Sequence, residues 1–165
     1  MWPAALFLAL ASHAVPLSPC PKIGPLLLVD AERRVLFRCG AHGRVEGRHH
    51  VSLGRGGLDK RREGDRKTPL GRYRLGSPRP SVSGFHVFIP VGYPTSTQRR
   101  AGFTGGAIGV HGPPEGWPEA MARTSMAVSD LTFGCIMVAS ADEIHRIARW
   151  VRDHGVKAIE IRRSL

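Results

Sequence analysis

Metal-binding spacings are missing from this chain. No two cysteines are separated by two residues, and no two histidines stand four apart as in a helical zinc site. No metal or cofactor is therefore expected. Acidic side chains are scarce, 13 Asp and Glu against 24 Lys and Arg, which leaves a net charge of +11. Such an excess points to an anionic partner, either nucleic acid or the anionic polymers and lipids of a bacterial envelope. Aromatic residues make up only 7% of the chain, and none falls between Arg55 and Lys67, where the basic residues are densest. A single-stranded nucleic-acid surface needs stacking rings among its cations, so nucleic acid is not expected. Internal repeats are absent, which excludes a solenoid. The longest apolar run, Trp2 to Ala11, is too short to span a bilayer comfortably.

What is present is enough for one domain. At 165 residues and 42% apolar content the chain can build a real core. High glycine (20) and proline (13) favour short elements joined by turns. The apolar start ends in Ser12-His13-Ala14, with small residues where a signal peptidase reads. Residues 1–25 are read as a signal peptide and Pro-rich linker, and 26–165 as the folded domain, exported to the periplasm or cell envelope. Cysteine occurs three times, so an exported monomer keeps at least one free thiol. Cys20 and Cys39 could pair, and the sequence leaves that open.

Leu26 to Val29 and Val35 to Cys39 flank a polar turn and read as a hairpin. Val45 to Leu53 reads as a third strand, with His49 and His50 on opposite faces. Gly54 to Lys67 holds four glycines and nine charged residues, and reads as an exposed, mobile loop. Tyr73 and Leu75 alternate with Arg72 and Arg74, as in a half-buried strand. Phe85 to Ile89 and Ala107 to His111 are two further strands, and Glu115 to Arg123 has room for a turn or two of helix. The clearest helix starts at Ser140, with Glu143 completing a capping box, and stops at Gly155. Val156 to Ile161 closes as a strand. The expected architecture is mostly β, sandwich- or barrel-like, with one clear C-terminal helix.

Cys135 and His111 carry the chemistry. A thiol at its ordinary pKa of about 8.5 is weakly ionised near neutrality and needs a base, for which imidazole is suited. Gly134 permits a tight turn before Cys135, so that N–H groups can face a developing oxyanion. Gly112 lets the chain leave His111 sharply, freeing nearby carbonyls to hold the imidazole tautomer.

The segment Asp130-x-Thr132-x-Gly134-Cys135-Ile136-x-Val138, with Val110-His111-Gly112 upstream, resembles the catalytic region of the L,D-transpeptidase (YkuD-type) family. The stretch Asp59 to Leu75, above all Lys67-Thr68-Pro69-x-Gly71-x-Tyr73, is similar to the loop and strand ahead of that family's site. The resemblance runs from about Leu26 to Ile161. It implies a mostly β catalytic domain acting on peptidoglycan stem peptides. Cys135 would attack the amide between the third and fourth stem residues, with His111 as base and proton donor. The backbone at Gly134 and Cys135 would hold the oxyanion, and the Gly112 carbonyl would orient His111. The thioester would pass to an amine of a neighbouring stem, cross-linking the wall or attaching a protein.

Two positions depart from the commoner motif Ser-His-Gly-Cys-Ile-Arg. Thr132-Phe133 stands for Ser-His, and Met137 for Arg. The pattern is closer to a branch with Asp-x-Thr-x-Gly-Cys-Ile, some of whose members hydrolyse links between peptidoglycan and proteins. A charge-assisted hydrogen bond from the missing Arg is replaceable by another cation. Arg62, Arg66 and Lys67 are the candidates, with Arg72 and Arg74 in reserve and Thr132 as a local hydrogen-bonding group. Asp130 is read either as a structural hydrogen-bond partner or as a turn starter. Two alternatives stay open: a hydrolase giving the same acyl group to water (an amidase or L,D-carboxypeptidase), and a non-catalytic basic module that binds the anionic wall or a membrane surface.

Overall fold

The computed structural model of the protein describes residues 18–165. The expected signal peptide falls almost wholly outside them. Among these residues the fold is one curled nine-stranded sheet, a half-barrel, with three α-helices and a short 3-10 helix at Ala41–Gly43. Strands β1 (Leu26–Asp30), β2 (Val35–Cys39) and β3 (Val45–Ser52) form an antiparallel meander. β4 (Gly71–Arg74) pairs with the C-terminal β9 (Ala158–Arg162), which lies parallel to β1. On the other flank come β5 (Arg79–Pro80), β6 (Val87–Pro90), β7 (Gly109–His111) and β8 (Ile136–Val138). The order across the sheet is β4-β9-β1-β2-β3-β8-β7-β6-β5.

Leu26 to Val29 of β1 is an unbroken apolar run, and both its faces are covered. Leu27 and Val29 enter the main core with Val51, Ile136 and Ile159. Leu26 and Leu28 pack on the opposite face with Phe37, Cys20 and Cys39. A disulfide joins Cys20 to Cys39 and ties the incoming chain onto that face.

Helix α3 (Ala141–Asp153) fills the curl of the sheet with Ile144, Ile147, Ala148 and Val151. Each large side chain buried there contributes about 1.5–3 kcal/mol. Ser140 Oγ accepts from the Glu143 N–H at 3.2 Å. The return bond differs from a capping box: the Glu143 carboxylate accepts from Ala139 N–H at 3.1 Å, one residue before the cap. α1 (Ser96–Arg100) was not expected, although Thr95-x-x-Gln98 is a capping box in the sequence and forms one here. α2 (Glu119–Val128) starts later and runs longer than the turn or two expected. It buries only Ala122 and Met126, so little of its length carries an apolar period.

The segment 54–67 is a built loop, which corrects the expectation of mobile chain. Its centre is Asp65, whose carboxylate accepts from the N–H groups of Arg61 and Arg62 at 2.9 Å and of Lys67 at 3.1 Å. The Lys60 ammonium, 4% exposed, donates to the same carboxylate at 2.7 Å and to the Arg62 carbonyl at 2.9 Å. Burial alone would raise the Asp65 pKa. The N–H groups and the ammonium overcome that and hold it well below the usual carboxylate range. Buried Thr68 fastens the loop's other end by accepting from Gly54 N–H at 2.8 Å.

Candidate active site

Parallel pairing of β7 with β8 sets the site. Val110 faces Ile136 and His111 faces Met137, so the imidazole lies beside the chain just after Cys135. Cys135 sits at the mouth of β8 after a sharp turn at Gly134, whose φ of 131° suits glycine. A Cβ at Gly134 would also lie 2.6 Å from the Lys67 carbonyl oxygen. The turn is held by Thr132. Its hydroxyl donates to the Cys135 carbonyl at 2.8 Å and accepts from the Gly134 N–H at 3.0 Å.

That arrangement bears on two expectations. Gly134 N–H is engaged with Thr132 and is not free for an oxyanion, which leaves the Cys135 N–H of the expected pair. Thr132, expected as a substrate-binding group, lies on the cleft wall with its hydroxyl engaged in the turn. Asp130 holds the start of the same loop. It accepts from Leu53 N–H at 3.0 Å and from Arg34 Nε and Nη2 at 3.0 and 2.9 Å.

His111 is buried, with Phe85 packed at 4.6 Å between ring centroids. Its Nδ1 lies 2.6 Å from the Gly112 carbonyl oxygen. A carbonyl can only accept, so Nδ1 carries the proton and Nε2 presents a lone pair. Gly112 is required for space. A Cβ there would come within 2.9 Å of Ile144 on α3. Burial lowers the His111 pKa, partly offset by the Gly112 carbonyl. Burial raises that of Cys135, opposed by a hydrogen bond from the Gly109 backbone and by the Lys60 charge. Both shifts favour the uncharged forms, thiol and imidazole. The thiol donates to the Ala107 carbonyl at 3.5 Å.

Two clefts meet at this pair. The larger, about 720 Å³, is walled by Arg55, Lys60, Arg66, Trp117 and Phe133. The smaller, about 230 Å³, is walled by Arg79, Ser81, Ser83 and Phe88. Phe85, Ala107, His111 and Cys135 line both.

Of the cations expected near the site, Arg66 lines the large cleft, but Arg62 and Lys67 do not. They serve the loop through their backbones, both donating N–H to Asp65. Arg72 and Arg74 lie exposed on β4, away from both clefts, with Arg72 3.8 Å from Glu160. Arg55 and Lys60, basic residues of the same loop not singled out among the candidates, also line the large cleft with Cys135. Met137, where the commoner motif has Arg by resemblance, is buried against Met126 and so packs under α2. Among the described residues no group of three His, Cys, Asp or Glu is placed to hold a metal.

A mostly β half-barrel with a cysteine at the entry to one strand and a histidine on the parallel strand beside it is an architecture suited to thiol chemistry. The profile of the YkuD L,D-transpeptidase catalytic domain matches residues 24–159, and the chain belongs to that family. No curated protein matches its sequence. Among solved structures it is similar to the helical cell shape determining protein Pgp2 from Campylobacter jejuni. That match has 24% identity and a TM-score of 0.69, covering 85% of this chain and 48% of that one. It is also similar to Bd1075 from Bdellovibrio bacteriovorus, at 24% identity and a TM-score of 0.56, covering 84% and 48% of the two chains. The chain thus spans about half the length of these structural relatives.

Proposed function

We propose that this protein is a cysteine acyltransferase acting on peptidoglycan stem peptides in the cell envelope. The observation that carries this reading is the meeting of two clefts at one thiol and one bare imidazole nitrogen. His111 Nε2 takes the Cys135 proton as Sγ attacks the scissile carbonyl carbon. The Cys135 N–H stabilises the resulting oxyanion. Collapse breaks the C–N bond, and His111 returns the proton to the departing D-amino acid, leaving a thioester on Cys135. In the second half His111 deprotonates an incoming amine, which takes the acyl group and restores the thiol. Donor and acceptor approach through different clefts, so the acceptor need not displace the acyl chain.

Water in place of the amine makes the same site a hydrolase. The smaller cleft favours neither acceptor by itself, since both need only access to the thioester. The Cys20–Cys39 disulfide supports an oxidising compartment such as the periplasm. Likeness to a cell shape determining protein supports a role in remodelling the wall.

The test is incubation with disaccharide-tetrapeptides, read by mass spectrometry. Cross-linked dimers lacking one terminal residue establish transpeptidation, and free tripeptides alone establish hydrolysis. No product and no acyl adduct on Cys135 overturns the enzyme reading.

A further inference from the structure

The strand register gathers arginines on the outward face of the sheet. One cross-strand row runs Arg72, Glu160, Leu28, Phe37 and Arg48 through β4, β9, β1, β2 and β3. A second runs Arg162, Asp30, Val35 and His50 through the last four of those strands. Residues paired in register point to one side of a sheet, so each row lies on one face. Leu28 and Phe37 put that face opposite the core that α3 fills, and their apolar cluster takes in no helix. Arg74, two residues on from Arg72, faces the same way. A groove of about 730 Å³ lies here, lined by Val35 and Phe37 together with Arg33, Arg48, His50 and Arg162. None of its lining residues belongs to either catalytic cleft.

The acids of this face are recessed and its cations project. The Asp30 side chain is 1% exposed and that of Glu160 19%, against 65% for Arg33 and 58% for Arg72. Arg33 answers Asp30 at 2.7 Å, and Arg162 answers Glu160 at 2.7 Å. Arg48, stacked on Phe37 at 5.4 Å, makes no ion pair among the described residues, and neither does Arg74. The outermost layer is therefore positive. Five strands span about 19 Å, and cations stand at both edges of that width with the acids between them. A linear polyanion needs its cations in file along one track. A planar anionic surface meets all the projecting tips at once and never reaches the recessed acids. The segment that the Cys20–Cys39 disulfide ties to this side adds exposed Lys22 and Ile23, the latter 78% exposed. That is a cation for headgroups beside an aliphatic side chain for the layer beneath them.

We infer that the outward face of β4, β9, β1, β2 and β3 is a docking surface for an anionic phospholipid bilayer, which holds the domain against a membrane through residues the catalytic clefts do not use. Arginine suits that contact: its methylene stem lies along Val35 and Phe37 while the guanidinium reaches lipid phosphate. The inference does not rest on the acyl-transfer reading, since none of its residues takes part in that chemistry.

The experiment is co-sedimentation of the full chain with phosphatidylcholine vesicles, and with vesicles that also contain phosphatidylglycerol. Binding is expected to be tighter on the anionic vesicles, and that excess should fade as salt rises. Arg48→Glu with Arg74→Glu reverses two cations that no acid depends on, and is expected to weaken partition onto anionic vesicles about tenfold or more. Arg33 is left in place, because without it Asp30 would be buried and unpaired. Arg48→Gln with Arg74→Gln makes half the charge change, and its loss is expected to fall between wild type and the Glu pair. Arg100→Glu with Arg149→Glu makes the full change at exposed positions on α1 and α3, and is expected to weaken partition far less. Thermal melts and iodoacetamide labelling of Cys135 should match wild type in all three variants. Equal binding to both kinds of vesicle, or equal losses from the two Glu pairs, overturns the inference. So does a face variant that keeps its vesicle binding and loses binding to isolated sacculi, which assigns the face to a wall polymer instead.

Discussion

Arg34, in the turn between β1 and β2, grips Asp130 at 3.0 and 2.9 Å across 96 residues of sequence. The same carboxylate accepts the Leu53 N–H at 3.0 Å. One acid thus joins the meander to the loop that leads into Cys135. The pair holds the Arg34 guanidinium more strongly protonated than usual, chiefly through the hydrogen bond to Asp130.

Asp130→Ala should misplace the Cys135 loop and leave the Leu53 N–H without its acceptor. We expect a stability loss of about 1–3 kcal/mol from the unmet groups. Arg34→Gln should cost less, about 1 kcal/mol or below, because that side chain is 43% exposed and screened. Urea unfolding of both variants, alongside D-amino acid release, checks the order. Equal losses would contradict it.

The pH dependence follows from burial. His111 is pushed below the ordinary imidazole value of about 6.5, and Cys135 above the ordinary thiol value of about 8.5. The base is competent once neutral, so the acid limb of kcat/KM should lie below pH 6.5. Alkylation by iodoacetamide follows the thiolate, so it should be slow at pH 7 and rise with a midpoint above 8.5. Lys60→Gln removes a charge that favours the thiolate, and should move that midpoint further up. A midpoint near neutrality would show a resting ion pair instead.

Thr132→Val keeps the shape and deletes the hydroxyl. The Gly134 N–H and the Cys135 carbonyl each lose a partner. The expected cost is about 1–3 kcal/mol, with at least a tenfold fall in kcat as the turn loosens. Thr132→Ser should recover most of both, because it retains the oxygen. Thermal melts with single-turnover acylation separate the two effects.

Replacing Cys20 and Cys39 by serine opens a covalent loop with a sequence separation of 19. The expected loss is about 3 kcal/mol, acting mainly through the unfolded chain. Acylation of Cys135 should persist at temperatures where the variant stays folded, since the disulfide lies on the outer face of β1 and β2. Thiol titration should find one reactive sulfhydryl in the native protein and still one in the variant.

Much of this architecture was legible locally. The alternation of Tyr73 and Leu75, the meander from Leu26 to Ser52, and the cap of α3 at Ser140 all depend on near neighbours, whose geometry repeats with the backbone. The motif around Cys135 and His111 was legible by resemblance, and it includes the glycine whose conformation the turn demands. α1 was legible in principle through its Thr95–Gln98 cap, but five residues give no apolar period.

The chain's order alone thus pointed to the family, to seven of the nine strands (β5 and β8 went unexpected) and to the two residues proposed for chemistry. Tertiary structure decided which cations stand beside them. Arg62 and Lys67 are as basic as Arg55 and Lys60, and composition cannot rank them. The folding of residues 54–67 around Asp65 turns Lys60 and Arg66 toward the cleft, and directs the N–H groups of Arg62 and Lys67 to the loop's own acid. Tertiary structure likewise buries Met137 under α2. These outcomes come from contacts between segments distant in sequence, where competition for each donor and each buried volume is resolved only once the sheet has closed around α3.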